Sequence, residues 1–374
     1  MSSRMSPAMR PATGSTTGPK TAPALTSVTR HPAGSAAGTV AVVRRARRGP
    51  ARRTNLVLGV LAVLLVLVFS ARTMLGDFII TLPDFFRIIG GAEIPGASYI
   101  LMESKLPRAI LGVLVGVAFG VSGAIFQTTL RNPLASPDIV GVSIGASAAA
   151  VFTIVTLGQR DPAVSAAAVL GAVLIAVVVR WQAGSVGGNR LVLIGLGLSA
   201  GMLSVVQYLF TRADEWDAQL VLQWLTGSLN RVDWPTIRVL TLLLLAVLPF
   251  VLWLARSSRI AELGEDAAAG LGVTPRRSDA LLLLAVLLVG LGVAAAGPVA
   301  FVSFLAGPIA RALNGGRTTL AGAGLVGALI VVGADYVAAY VVPDVNYPVG
   351  VVTGAFGAPF LLWLMATGRT SRRS

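Results

Sequence analysis

Very few side chains in this sequence could carry out covalent chemistry. The chain has no cysteine and a single histidine, His31. Thiol nucleophiles, disulfides, thiolate or histidine metal sites and His-based triads are therefore excluded. No G-x-x-x-x-G-K-[ST] loop occurs, so the chain lacks that route to a nucleotide phosphate. What remains are isolated charges in telling places. Asp335 is a lone carboxylate well inside an apolar run, where charge is costly and commonly functional. Lys105 and Arg108 stand three residues apart at the mouth of another run. Gly264-Glu265-Asp266-Ala267-Ala268-Ala269-Gly270-Leu271-Gly272 makes a polar elbow with an Ala/Glu core able to form a short helix and glycines able to turn at its ends. The chemistry open to such a set is recognition and mechanical coupling. No paired acid and base exist for an enzyme inside a bilayer, and neither a cofactor nor a metal is called for.

The elements that hold these residues are apolar. Hydrophobic residues make up 55% of the chain and charged ones 12%, and the mean hydropathy is +0.80. A soluble domain carries roughly twice that charge, whereas helices facing lipid give this composition directly. Ten runs have the apolar content of membrane helices: 56–74, 106–130, 139–157, 162–180, 191–211, 236–255, 280–296, 298–313, 320–342 and 349–366. The expected fold is all-α and polytopic, with about ten transmembrane helices over residues 55–369. Loop 257–278 is expected to project from one face. Leu220 to Leu229 is too short to cross and is expected to lie along the outer interface.

Net charge is +14, yet residues 1–55 hold 10 Lys/Arg and no Asp/Glu. That concentration argues against a nucleic-acid face. Residues 1–54, rich in Ser, Thr, Pro, Gly, Ala and Arg, are expected to be a disordered basic cytoplasmic tail. The ten-helix layout puts 22 basic residues on the side of both termini and 8 on the other. This places the N- and C-termini in the cytoplasm of a multi-pass protein of the inner cell membrane. Gly112, Gly116 and Gly120, and likewise Gly141 and Gly145, have the spacing that lets helix backbones approach closely.

Four blocks, in order, resemble the FecCD-type permeases of ABC importers for ferric siderophores, haem and vitamin B12. The first is Leu106-Pro107-Arg108, closing with Arg131-Asn132-Pro133-Leu134-Ala135, Pro137, Gly141, Ser143 and Gly145. Next come Leu222 through Gly227-Ser228-Leu229 with Trp234, then Leu263-Gly264-Glu265, Ala268 and Leu271-Gly272. The last combines Gly297-Pro298, Phe301, Arg311 and Asp335 with Pro348 to Thr353 and Gly357-Ala358-Pro359. The resemblance covers residues 56–368 and implies the architecture of the vitamin B12 importer permease.

By that resemblance, Gly264, Glu265, Ala268, Leu271 and Gly272 couple to a separate ABC ATPase. Lys105 and Arg108 dock a substrate-binding protein, and Gly188 and Asn189 close the cytoplasmic gate. A second permease subunit completes the assembly within membrane lipid. Ala339 stands where the vitamin B12 permease has a docking arginine, and Gly307-Pro308 where many members have Pro-His. These departures incline the expected pairing towards an unlike partner. The cargo expected is an iron–siderophore complex, with haem or vitamin B12 as alternatives. The rival is an ion-coupled secondary transporter; Asp335 invites a proton-coupled role, whereas the resemblance implies a structural one near the helix middle or outer half.

Overall fold

The structure is a computed structural model and describes residues 36–184, 188–230, 232–261, 275–340 and 346–366. Among these there is no strand. Twelve helices follow one another: α1 (Ala36–Met74), α2 (Leu82–Ile89), α3 (Leu106–Thr129), α4 (Val142–Val155), α5 (Asp161–Ala183), α6 (Gly188–Phe210), α7 (Glu215–Thr226), α8 (Trp234–Ala261), α9 (Pro275–Ala296), α10 (Val302–Leu313), α11 (Leu320–Tyr340) and α12 (Val349–Ala366). Seven of them are long and apolar enough to cross a membrane, and α4, α10 and α12 are shorter apolar helices. These ten correspond one to one with the ten apolar runs. The total of twelve differs from the expected ten because of α2 and α7.

Helix α2 is set by local signals. Thr81 accepts a hydrogen bond from the Asp84 amide, and Pro83 sits in the first turn, where its missing N–H costs nothing. The backbone is already helical from Ala36, within the stretch expected to be a disordered tail. Alanine and arginine, which dominate it, are both good helix formers.

The core is built around α3, whose buried side includes Leu111, Val115, Phe119 and Ile125. It lies against α11 at backbone distance. A side chain added at Gly116 would collide with Ala328, and one added at Gly327 with the Gly116 carbonyl. Lipid offers no hydrophobic drive for helix pairing, so this contact rests on dispersion across small residues. Gly116 and Gly120 thus mark a close backbone contact between α3 and α11. By contrast, only 6% of the most apolar stretch of α1 is buried. That helix is fastened at three places. Leu61 is buried against α10 and α11, Arg53 and Thr54 bond the Leu313 carbonyl and Asn314, and Arg72 is buried at the far end.

Connections alternate in charge. Asp77, Asp84, Glu103, Asp161, Asp214 and Asp233 mark an acidic end of the bundle, and Arg131, Arg180, Arg190, Arg276 and Arg311 a basic end.

Candidate functional site

Three chain reversals meet at one place. The C-terminal end of α7, the break between α9 and α10, and the start of α12 pack backbone to backbone. The Ser228 amide donates to the Ala296 carbonyl (2.8 Å) and the Gly350 amide to the Gly227 carbonyl (3.2 Å). Gly227 (φ +68°) and Gly297 (φ +72°) adopt left-handed backbone that other residues rarely accept. A Cβ on Gly227 would strike the Pro298 carbonyl, and one on Gly350 the Thr226 carbonyl. A fourth segment, the connection from α3 to α4, completes the spot. Asp138 and Ser143 join Thr226, Pro298, Ala300 and Gly350 around a cavity of about 280 Å³. Three of the four sequence blocks therefore converge on a single point. Non-helical backbone at membrane depth is tolerated only where it is buried in protein or lines a cavity, and broken helices meeting inside a bundle are how transporters build a path.

Helix α7 is the correction here. The sequence places Leu220–Leu229 flat on the interface, whereas the structure inserts this helix into the bundle. Its first turn is tied to the acidic end by Asp217, which accepts from Arg160 at 2.8 Å. Its last turn lies against Pro298 and Gly350, with Val221 and Leu229 fully buried. Its twelve residues give it an axial length of about 16 Å.

Asp138 is the one carboxylate bordering the cavity. Its Oδ1 accepts a hydrogen bond from the Ser143 hydroxyl, and its Oδ2 is covered and has no hydrogen-bond partner. Desolvation pushes its pKa up to about 6, against the opposing pull of the Ser143 hydrogen bond.

At the acidic end, Asp335 is 1% exposed and shared by two buried arginines from different helices. Arg72 Nε of α1 donates to Oδ2 at 2.6 Å, and Arg108 of α3 binds Oδ1 at 2.8 Å. Arg72 also reaches the Tyr340 hydroxyl (3.3 Å) and lies over that ring, while Arg108 donates to Asn346 (3.1 Å). Lys105, 4% exposed, donates to the Leu75 and Phe78 carbonyls beyond the end of α1. The sequence reading had Lys105 and Arg108 facing a docking partner. In the structure both point inward, because the free carbonyls beyond α1 and the carboxylate of α11 offer closer partners than water. Asp335 is clamped between two guanidiniums.

The FecCD transport family matches residues 62–367, nearly all of the apolar chain. The chain belongs to this family. It is 38% identical over 320 residues to the achromobactin transport system permease protein CbrC of Dickeya dadantii, covering 83% of this chain and 91% of the relative. Over 290 residues it is 36% identical to the ferric enterobactin transport system permease protein FepG of Escherichia coli, covering 75% and 86%. Its fold matches a solved inward-facing structure described as a metal-chelate type ABC transporter, with a TM-score of 0.72, 24% identity and coverage of 84% of this chain and 99% of the other. The protein is a permease subunit of the ABC-importer type, all-helical and membrane-embedded.

The remaining site residues of this permease divide by what the structure describes. Gly188 and Asn189 open α6 at the basic end. Gly264, Glu265, Ala268, Leu271 and Gly272 lie outside the described residues. Sequence reasoning missed Arg72, whose signal was present as a second charge at the end of an apolar run. It also missed the role of Asp138, which sits inside the first family block and differs from its neighbours there in being ionisable.

Proposed function

We propose that this permease moves a ferric siderophore complex across the inner cell membrane, from the acidic end, facing outward, to the basic end in the cytoplasm. The observation that carries the reading is the convergence of three family blocks on one cavity, where three chain reversals meet the connection from α3 to α4. Support for the cargo comes from the relatives, two of which are permeases for achromobactin and ferric enterobactin. Both termini then lie in the cytoplasm, in keeping with the excess of Lys/Arg on that side.

The chain hydrolyses no ATP itself. A separate ATPase pushes on Gly264, Glu265, Ala268, Leu271 and Gly272, and the start of α6 at Gly188 and Asn189 closes the cytoplasmic exit. A second permease, of unlike sequence, forms the other half of the path. A substrate-binding protein docks on the acidic end. Lys105 and Arg108 serve that docking only by trading their internal acceptors for the partner's carboxylates, so they set orientation and salt dependence more than affinity.

The test is uptake of radioactive ferric siderophore by cells expressing the permease with its ATPase, second permease and binding protein. ATP-dependent accumulation that stops when the binding protein is omitted supports the reading. Accumulation that persists without the ATPase overturns it in favour of ion coupling. Purified binding protein retaining haem or a cobalamin but no ferric chelate overturns the cargo alone.

A further inference from the structure

Away from the path, a cavity of about 380 Å³ opens between α5, α6 and α9 at the basic end. Its wall is apolar, including Ala176, Leu191, Leu283 and Val286. The volume falls in the range of small-molecule sites, roughly 300–1,000 Å³. The groove follows the helix axes. Ala280 to Val286 spans about 9 Å along α9, the direction in which acyl chains lie.

The mouth at the basic end is built differently. Arg180 and Asp279, each about 40% exposed, pair at 2.8 Å across the gap between α5 and α9. Trp181 beside them is 80% exposed, the placement of an interfacial aromatic. Arg190 at the start of α6 and Arg276 and Arg277 at the start of α9 are exposed, with no partner among the described residues. Asp279 is the only acidic residue lining the groove, and it is committed to Arg180. The groove itself carries the Arg180–Asp279 pair, and Arg190, Arg276 and Arg277 stand within three residues of its lining positions Leu191 and Asp279 on α6 and α9.

We propose that this groove is a binding site for an anionic phospholipid, with one acyl chain between α5 and α9 and the headgroup phosphate among Arg190, Arg276 and Arg277. Basic pockets between membrane helices capture such headgroups, and guanidinium groups match phosphate geometry. A zwitterionic lipid offers the same chain without the net charge, so discrimination between headgroups is the distinguishing property. The site is independent of the nature of the cargo.

The test is native mass spectrometry of the full chain purified in a nonionic detergent, titrated with phosphatidylglycerol or phosphatidylcholine of identical acyl chains. Three arginines near a phosphate lead to an expected preference for phosphatidylglycerol of roughly a hundredfold. The triple variant Arg190→Gln/Arg276→Gln/Arg277→Gln, altered only at exposed positions, keeps its elution profile and loses that preference. Val286→Trp, which fills the slot, lowers retention of both lipids. Equal retention of the two lipids by the wild-type chain overturns the proposal, as does a preference that survives the triple variant. Should Val286→Trp fail to fold, Leu283→Gln reads the same slot by making it polar.

Discussion

Asp335 offers the sharpest quantitative test, because one carboxylate balances two buried arginines. Its contacts with Arg72 at 2.6 Å and Arg108 at 2.8 Å are each worth about 6 kcal/mol of Coulomb attraction at an effective dielectric of roughly 20. Desolvating three ions consumes most of that gain, so the cluster adds little net stability while intact. The asymmetry appears on breaking it. Asp335→Asn leaves two guanidiniums side by side with no counter-charge, for which the cost is about 3–5 kcal/mol. Arg72→Met instead leaves a balanced pair of Arg108 and Asp335; its own bond to Asp335 is lost together with one buried positive charge, and the Tyr340 contacts go with it, for a net cost of about 1–2 kcal/mol. At roughly 2 °C per kcal/mol, thermal unfolding of the detergent-purified chain should fall by about 6–10 °C for Asp335→Asn and about 2–4 °C for Arg72→Met. Size-exclusion after heating gives the readout. If Asp335→Asn proves no worse than Arg72→Met, the carboxylate is not the shared counter-ion and the reasoning fails.

Three other outcomes are expected. Gly227→Ala and Gly350→Ala should abolish chelate uptake with insertion retained, since their Cβ atoms strike the carbonyls of Pro298 and Thr226, while Gly197→Ala, which meets open space, should transport normally in the same cells. Asp138 carries a raised pKa of about 6, so the folded state keeps a proton that the unfolded chain releases, and stability falls as pH rises from about 4 through 6. Asp138→Asn should therefore raise the unfolding temperature at pH 8 and leave it nearly unchanged at pH 4; equal effects at both would rule out titration. The double change Glu265→Ala/Leu271→Ala should stop uptake and prevent ATPase capture in pull-downs from membranes in which the permease still inserts.

The apolar runs were legible because a bilayer punishes every unmet backbone polar group, so spans and their number follow from composition. The break between α9 and α10 rests in the sequence on Gly297-Pro298 alone, which splits one long apolar stretch. What escaped was direction. An interfacial helix and a re-entrant one have the same composition, and only packing against Pro298 and Gly350 shows that α7 enters the bundle. Lys105 and Arg108 open a helix in the sequence, but the wide π-type turn over Ile100–Lys105 alters the angular phase of the chain. Spacing alone could not show that both point inward. Arg72 reads as an ordinary flanking cation, and its meeting with Asp335 joins positions 263 residues apart. No local pattern reports such a pairing. Helix α2 falls between the apolar runs, so a reading by hydropathy passes over it although Thr81, Pro83 and Asp84 are local start signals.

The sparse burial of α1 has a mechanical corollary. From Arg53 to Arg72 the helix runs about 28 Å, close to the ~30 Å hydrocarbon depth, with its two tips bolted to the rest of the molecule and Leu61 the one buried apolar side chain between them. Nearly its whole girth is left to acyl chains. Membrane thickness therefore acts on this protein as a load on a strut. A thinner or thicker bilayer must tilt or bow α1, and the resulting force is delivered to its two bolts, one of them the arginine that shares Asp335.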